Sequence, residues 1–264
     1  MKLNTCVWLF VSLLLAVPAS AADGAGELIR IPSARAAATI PVFVHTTKGA
    51  RATVVLLSGG GGGIGNVKDG VWPDSKNFVV RTAPQFANNG VNVVVVGRVS
   101  DMKDLDYSDR VSTKHVDDLR RVLQMVKKTV SGPIWLVGTS RGTVSATAAG
   151  IALRDEKLID GLVLTSSVTN FKKTGAIPSQ NLDLLTVPVL VMHHERDACK
   201  ICNPNEVPAI LKGLTNAPIK KLVMVNGGGN PIGDPCEALH YHGFIGMEKE
   251  AVSIITNWIK KPTG

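Results

Sequence analysis

Short apolar runs and stretches of helical periodicity alternate along most of the chain. Residues 52–57 and 91–96 are apolar on both faces, the pattern of strands covered by helices on each side. Residues 37–46, 134–137, 159–164, 187–192 and 222–225 are further strand candidates. Between them, Val116, Leu119, Leu123, Val126 and Val130 recur at three and four, which predicts a helix with one buried stripe. Asp117, Arg120, Arg121, Lys127 and Lys128 fill its wet side. Residues 78–89 read as a helix despite Pro84, residues 142–153 as a helix of small side chains able to lie close to a sheet, and residues 207–214 as a further helix. Met247, Ala251, Ile254, Ile255 and Trp258 mark an amphipathic closing helix. Strand, helix, strand repeated to the end, with no Pro/Ser linker, predicts one α/β domain with a parallel core.

The first residues break this pattern. Lys2, the apolar run 6–17, Pro18 and the small residues Ala19-Ser20-Ala21 read as an export leader too short for a comfortable membrane span. Cleavage is expected after Ala21 or Ala22; the alternative is an uncleaved anchor. This divides the chain into a signal peptide, 1–21, and a single domain, 22–264. It also predicts a periplasmic or secreted protein with no stable membrane insertion after cleavage. The net charge of +8 comes from scattered basic residues without interleaved aromatics, unlike a nucleic-acid groove. No nucleic-acid partner is expected.

Gly138-Thr139-Ser140-Arg141-Gly142 matches G-x-S-x-G, with an apolar strand before it and a small-residue helix after it. In that setting the serine sits on a tight turn above the carboxyl end of the sheet. The backbone N–H of Arg141, beside a helix N-terminus, can steady an oxyanion. The segments 135–143 and 161–167 (Trp-Leu-Val-Gly-Thr-Ser-Arg-Gly-Thr and Gly-Leu-Val-Leu-Thr-Ser-Ser) resemble a group of small bacterial α/β-hydrolases. The resemblance extends over essentially all of the chain after the leader. It implies the α/β-hydrolase fold: a mostly parallel central sheet with helices on both faces. The short interval 168–186 predicts little or no lid.

The resemblance also implies a triad in the order Ser, acid, His. The acid belongs just after the strand 187–192, where Asp197 is preferred and Glu195 is the alternative. The base belongs between the last strand and the closing helix. His242, followed by Gly243 and Phe244 as in the family's His-Gly-Phe, is preferred over His240. His193 and His194 are expected to line or support the site, and His45 and His115 to be ordinary surface or helix-edge residues. The second oxyanion donor is expected from Gly60 or Gly61 in the run Gly59 to Gly63.

After the leader, the cysteines are Cys199, Cys202 and Cys236. Members of the resembled group carry a cysteine near the first and last of these positions, which implies a Cys199–Cys236 disulfide tying the acid loop to the base loop. Cys202 is then a spare thiol. The alternatives are a zinc site of Cys199, Cys202, Cys236 and His240, and a redox Cys199-x-x-Cys202 pair. The expected activity is hydrolysis of a small acyl compound, with no cofactor and no metal. Two other readings stand beside it. One is a non-catalytic binding protein on the same fold. The other is a dinucleotide enzyme using Gly60-x-Gly62-x-x-Gly65, which lacks the acidic residue about 20 positions on.

Overall fold

The computed structural model describes residues 26–264; the leader expected over residues 1–21 lies outside the described residues. In chain order the elements are β1 (Glu27–Pro32), β2 (Thr39–His45), β3 (Thr53–Leu57), β4 (Asn66–Lys68), β5 (Val71–Asp74), α1 (Phe78–Arg81), α2 (Ala83–Asn88), β6 (Asn92–Val96), α3 (Tyr107–Arg110), α4 (Thr113–Thr129), β7 (Ile134–Thr139), α5 (Arg141–Ala152), β8 (Gly161–Thr165), β9 (Val189–His194), α6 (Pro208–Gly213), β10 (Lys220–Val225) and α7 (Glu248–Lys260). Eight strands form one sheet in the order β1-β2-β6-β3-β7-β8-β9-β10, while β4 and β5 pair separately. The β1–β2 and β2–β6 pairs are antiparallel, and the others in the large sheet are parallel.

Every residue of β3, β6, β7, β8 and β9 is buried, which follows from helices on both faces. Val55, Val94, Leu136 and Leu162 pack with Leu119 and Leu123 of α4 and Ala146 of α5 on one face. Val54, Val93, Val137 and Val163 pack with Phe78 of α1, Phe86 of α2 and Ile255 of α7 on the other. In α4, Val116, Leu119, Leu123 and Val126 are buried as the periodicity predicts. Asp118 joins them because its carboxylate accepts from the Ser33 hydroxyl at 2.8 Å and the Ala34 N–H at 2.6 Å.

Two features depart from the expected pattern, and two more bear on the expected lack of a lid and on the dinucleotide alternative. Residues 78–89 form two short helices, because Pro84 lacks the N–H a continuous helix needs and instead opens α2. Strand β1, the β4–β5 hairpin and α3 are additional; they are short, and β1, β4 and β5 are mostly exposed, so the apolar pattern carries little trace of them. Residues 166–188, where a cap would enter, hold two 3₁₀ turns and no α-helix. The glycine run leads into β4 and not into a helix. The helix N-terminus that a dinucleotide pyrophosphate needs is therefore lacking there.

Candidate active site

The ends of β3, β7, β8 and β9 meet at the carboxyl rim of the sheet, where the strand order reverses and open α/β sheets place their ligands. Ser140 is the hinge between β7 and α5, with φ 52° and ψ −126°. This left-handed conformation in a residue with a Cβ costs about 1–3 kcal/mol and persists only where the surroundings impose it. They do so here. The Ser140 N–H donates to Thr165 O at 3.0 Å, and the Thr143 N–H and hydroxyl both return to Ser140 O, at 2.9 and 2.6 Å. A Cβ on Gly142 would lie 2.1 Å from Leu57 O, and one on Gly138 would lie 2.5 Å from Gly142 O. The two glycines of the motif let α5 start against the sheet.

Asp197 follows β9 on a buried turn. Its Oδ2 lies 2.8 Å from Nδ1 of His242 and 3.1 Å from Nε2 of His193, and its Oδ1 accepts from the Cys199 N–H at 3.0 Å. An ionised carboxylate only accepts, so both ring nitrogens facing it carry protons. His193 Nε2 also faces Cys202 O at 2.9 Å, which fixes the same tautomer. Burial pushes the Asp197 carboxyl up, but the hydrogen bonds from His193 and His242 outweigh it and hold the group down at about 2. The tautomer with its proton on Nδ1 is the one in which a neutral His242 offers Nε2 as the acceptor a general base needs. His242 is 4% exposed, and its Nε2 makes no hydrogen bond among the described residues.

The loop that carries His242 is fastened from behind. Ser166, itself at φ 46°, donates its hydroxyl to His242 O at 2.7 Å. Arg81 reaches Gly243 O at 2.6 Å and pairs with Glu248 at 3.0 Å. Gly243 is required because a Cβ there would sit 1.9 Å from Ala238 O. Ser140 and His242 line one open cleft of about 420 Å³ with Gly60, Gly61, Lys76, Tyr107, Arg141 and Ile201. The Ser140 hydroxyl neighbours the Cys202 thiol and opposes the rise of its pKa.

The glycine run after β3 forms the opposite lip. A Cβ on Gly59 would meet the Ser140 Cβ at 2.8 Å, so only glycine lets this loop lie against the Ser140 turn. Gly60 has φ 52° and open space where a side chain would be. Arg110 sits beneath, 1% exposed, with burial and the neighbouring charge of Arg141 pushing it down to about 9. It donates to Gly60 O at 2.9 Å, Ser145 Oγ at 3.0 Å and Leu105 O at 3.1 Å.

Cys199 and Cys236 form a disulfide that joins the loop of Asp197 to the loop of His242. Cys202 is a free, buried thiol. Burial first, and then the charge of Asp197, push the Cys202 thiol well up, with the Ser140 hydroxyl opposing them. The sulfurs of Cys199 and Cys202 and a ring nitrogen of His242 lie within 4.8 Å of one another. The Cys199 sulfur is committed to the disulfide and Cys202 holds its proton, so this set does not offer the thiolates a zinc ion takes.

Glu195 is exposed and accepts from Asn226 at 2.8 Å, away from His242. His240 packs edge-on against Tyr241 at 5.4 Å. His194 stacks on Tyr241 at 4.7 Å and bonds Gly227 O at 3.1 Å, bracing the loop beyond β10. His45 packs on Trp72. His115 departs from expectation. Its Nε2 lies 2.9 Å from Ser145 Oγ in the Arg110 cluster, and burial, reinforced by Arg110, pushes it down to about 3. Arg110 and Ser166 carry no signal in the linear sequence, since both act through backbone carbonyls distant along the chain.

No protein-family model matches the chain, and no curated protein matches it. Solved structures do. An α/β serine hydrolase homologue from Coxiella burnetii is 19% identical, covers 88% of this chain and 96% of its own, and gives a TM-score of 0.60. An α/β serine hydrolase without a lid from Xanthomonas campestris is 16% identical, with 90% and 97% covered and a TM-score of 0.60. Dienelactone hydrolase from Anabaena variabilis is 13% identical, with 89% and 96% covered and a TM-score of 0.63. The chain is built on the α/β-hydrolase fold.

Proposed function

We propose that the protein is a serine hydrolase that cleaves a small ester or related acyl compound through an acyl-enzyme. The observation that carries this reading is the 2.8 Å contact between Asp197 Oδ2 and His242 Nδ1, which frees Nε2 of a neutral imidazole to act as acceptor beside the cleft that His242 shares with Ser140. In this mechanism the Ser140 hydroxyl leaves the Cys202 thiol and turns to that nitrogen when substrate binds; catalytic hydrogen bonds commonly tighten only then. Ser140 Oγ then attacks the acyl carbon while His242 Nε2 takes its proton. Asp197 steadies the imidazolium, and the N–H groups of Arg141 and of Gly60 or Gly61 receive the oxyanion. Collapse expels the leaving group with the proton from His242. Water, deprotonated by the same nitrogen, releases the acid and restores Ser140.

An open cleft with no helical cap suits short or surface-exposed acyl groups. The disulfide fits an oxidising compartment, the periplasm or the exterior. The test is turnover of p-nitrophenyl acetate and butyrate, with fluorophosphonate labelling of Ser140. Wild type should turn over and label, and Ser140→Ala should do neither. A folded wild-type protein that never labels would favour a binding role on the same fold.

A further inference from the structure

We infer that Arg110 is a positioning residue for the oxyanion-binding amides, acting through the carbonyl of Gly60. The inference rests on the serine-hydrolase reading. A peptide unit is planar and trans, so its C=O and N–H point in opposite directions. The Gly60 carbonyl is drawn down onto the Arg110 guanidinium at 2.9 Å, which turns the Gly61 N–H the other way. The Gly59 carbonyl accepts from the Gly62 N–H at 3.1 Å, which turns the Gly60 N–H away from that bond. Gly61 O in turn is held by Arg98 Nη1 at 2.8 Å and the Leu105 N–H at 3.1 Å. Arg110 lies behind the loop among Leu57, Ser58, Gly62 and Ser145, while Gly60 and Gly61 border the cleft with Ser140. The amides of Gly60 and Gly61 therefore turn to the cleft side, while that of Gly62 is taken up by Gly59 O.

A glycine run has no conformational preference of its own, so something outside it must hold its peptide planes. Arg110 is suited to this by its fork of donors, which serves three acceptors from one rigid plane. Its acceptors are neutral, and Asp104, whose charge reaches it, pairs with Arg141. A buried cation without a partner anion is costly to keep, and the fold keeps it where negative charge would develop. Its pull on the Gly60 carbonyl also polarises that peptide and makes the Gly61 N–H a stronger donor.

The test compares wild type with Arg110→Gln, Arg110→Met and Arg110→Lys, using p-nitrophenyl butyrate and a trifluoromethyl ketone that mimics the oxyanion adduct. In Arg110→Gln and Arg110→Met, kcat should fall about 10- to 100-fold with KM nearly unchanged, somewhat less than for loss of an oxyanion donor itself. Affinity for the ketone should fall by a similar factor, and Arg110→Lys should restore part of both. Folded Arg110→Gln and Arg110→Met proteins with kcat and ketone affinity within twofold of wild type would overturn the assignment. Where these variants do not fold, Ser145→Ala decides by removing one anchor of the guanidinium. A several-fold loss of kcat at constant KM supports the role, and unchanged kcat overturns it. Activity surviving in Ser140→Ala would instead remove the serine-hydrolase reading itself. An inactive Ser140→Ala beside unimpaired Arg110 variants would remove only the positioning role.

Discussion

Ser140 and Asp197 each sit in a state that an isolated residue avoids: one in left-handed backbone, the other a buried carboxylate. The surroundings hold both. Asp197 has its three hydrogen bonds, and its depressed pKa has a definite sign for stability. Its usual value is 3.8 and its folded value about 2. The stabilisation is complete above the unfolded pKa and is lost as pH falls through about 2. Asp197→Asn should therefore flatten the acid limb of stability, removing about 2 kcal/mol of the difference between pH 5 and pH 2 in urea unfolding. The same variant should lower kcat by roughly 10⁴-fold, because an amide can hold His242 in the wrong tautomer. The motif around Ser140 and the His-Gly-Phe at 242–244 made these positions legible in the sequence. Ser166 and Arg110 were not legible in these roles, because each acts through a group far away in the chain: Ser166 reaches His242 O and Arg110 reaches Gly60 O.

Among elements, the junction of β3, β7 and α5 sets the height of the nucleophile turn. A Cβ on Gly142 would strike Leu57 O, a backbone atom of a central strand that cannot swing aside. Gly142→Ala should cost about 1–3 kcal/mol in urea unfolding and lower kcat as α5 is pushed outward. Gly229→Ala is the control. No atom lies within 4 Å of its added methyl, so its stability should stay within about 0.5 kcal/mol of wild type. The buried strands and the stripe of α4 were readable because burial on both faces, or on one stripe, writes itself into consecutive residues. Strand β1 and the β4–β5 hairpin were not readable, being short and half wet. The break at Thr82 needed a local fact, the missing N–H of Pro84, to win over apolar continuity.

Across the whole molecule, the loops that follow the neighbouring strands β9 and β10 meet at the rim through Asp197–His242 and Cys199–Cys236. The disulfide spans 37 residues, and closing a loop of that length removes about 3–4 kcal/mol of unfolded-state freedom in the chain-entropy model. Reduction by a phosphine should lower the unfolding free energy by about that amount. It should also lower kcat more than an equally destabilising change in α7, since it frees the loop that carries His242. Urea unfolding and ester turnover, each with and without reductant, check both.

By itself the sequence determined the class of fold, through strands with no polar face, and named the residues of the nucleophile turn. Those are local properties, written in periodicity and in glycine spacing. Only the tertiary structure decided which histidine faces Asp197, that Cys202 rests on Ser140, and that a buried guanidinium holds the glycine loop. Such pairings depend on how strand ends converge in space, and sequence separation carries no measure of that distance.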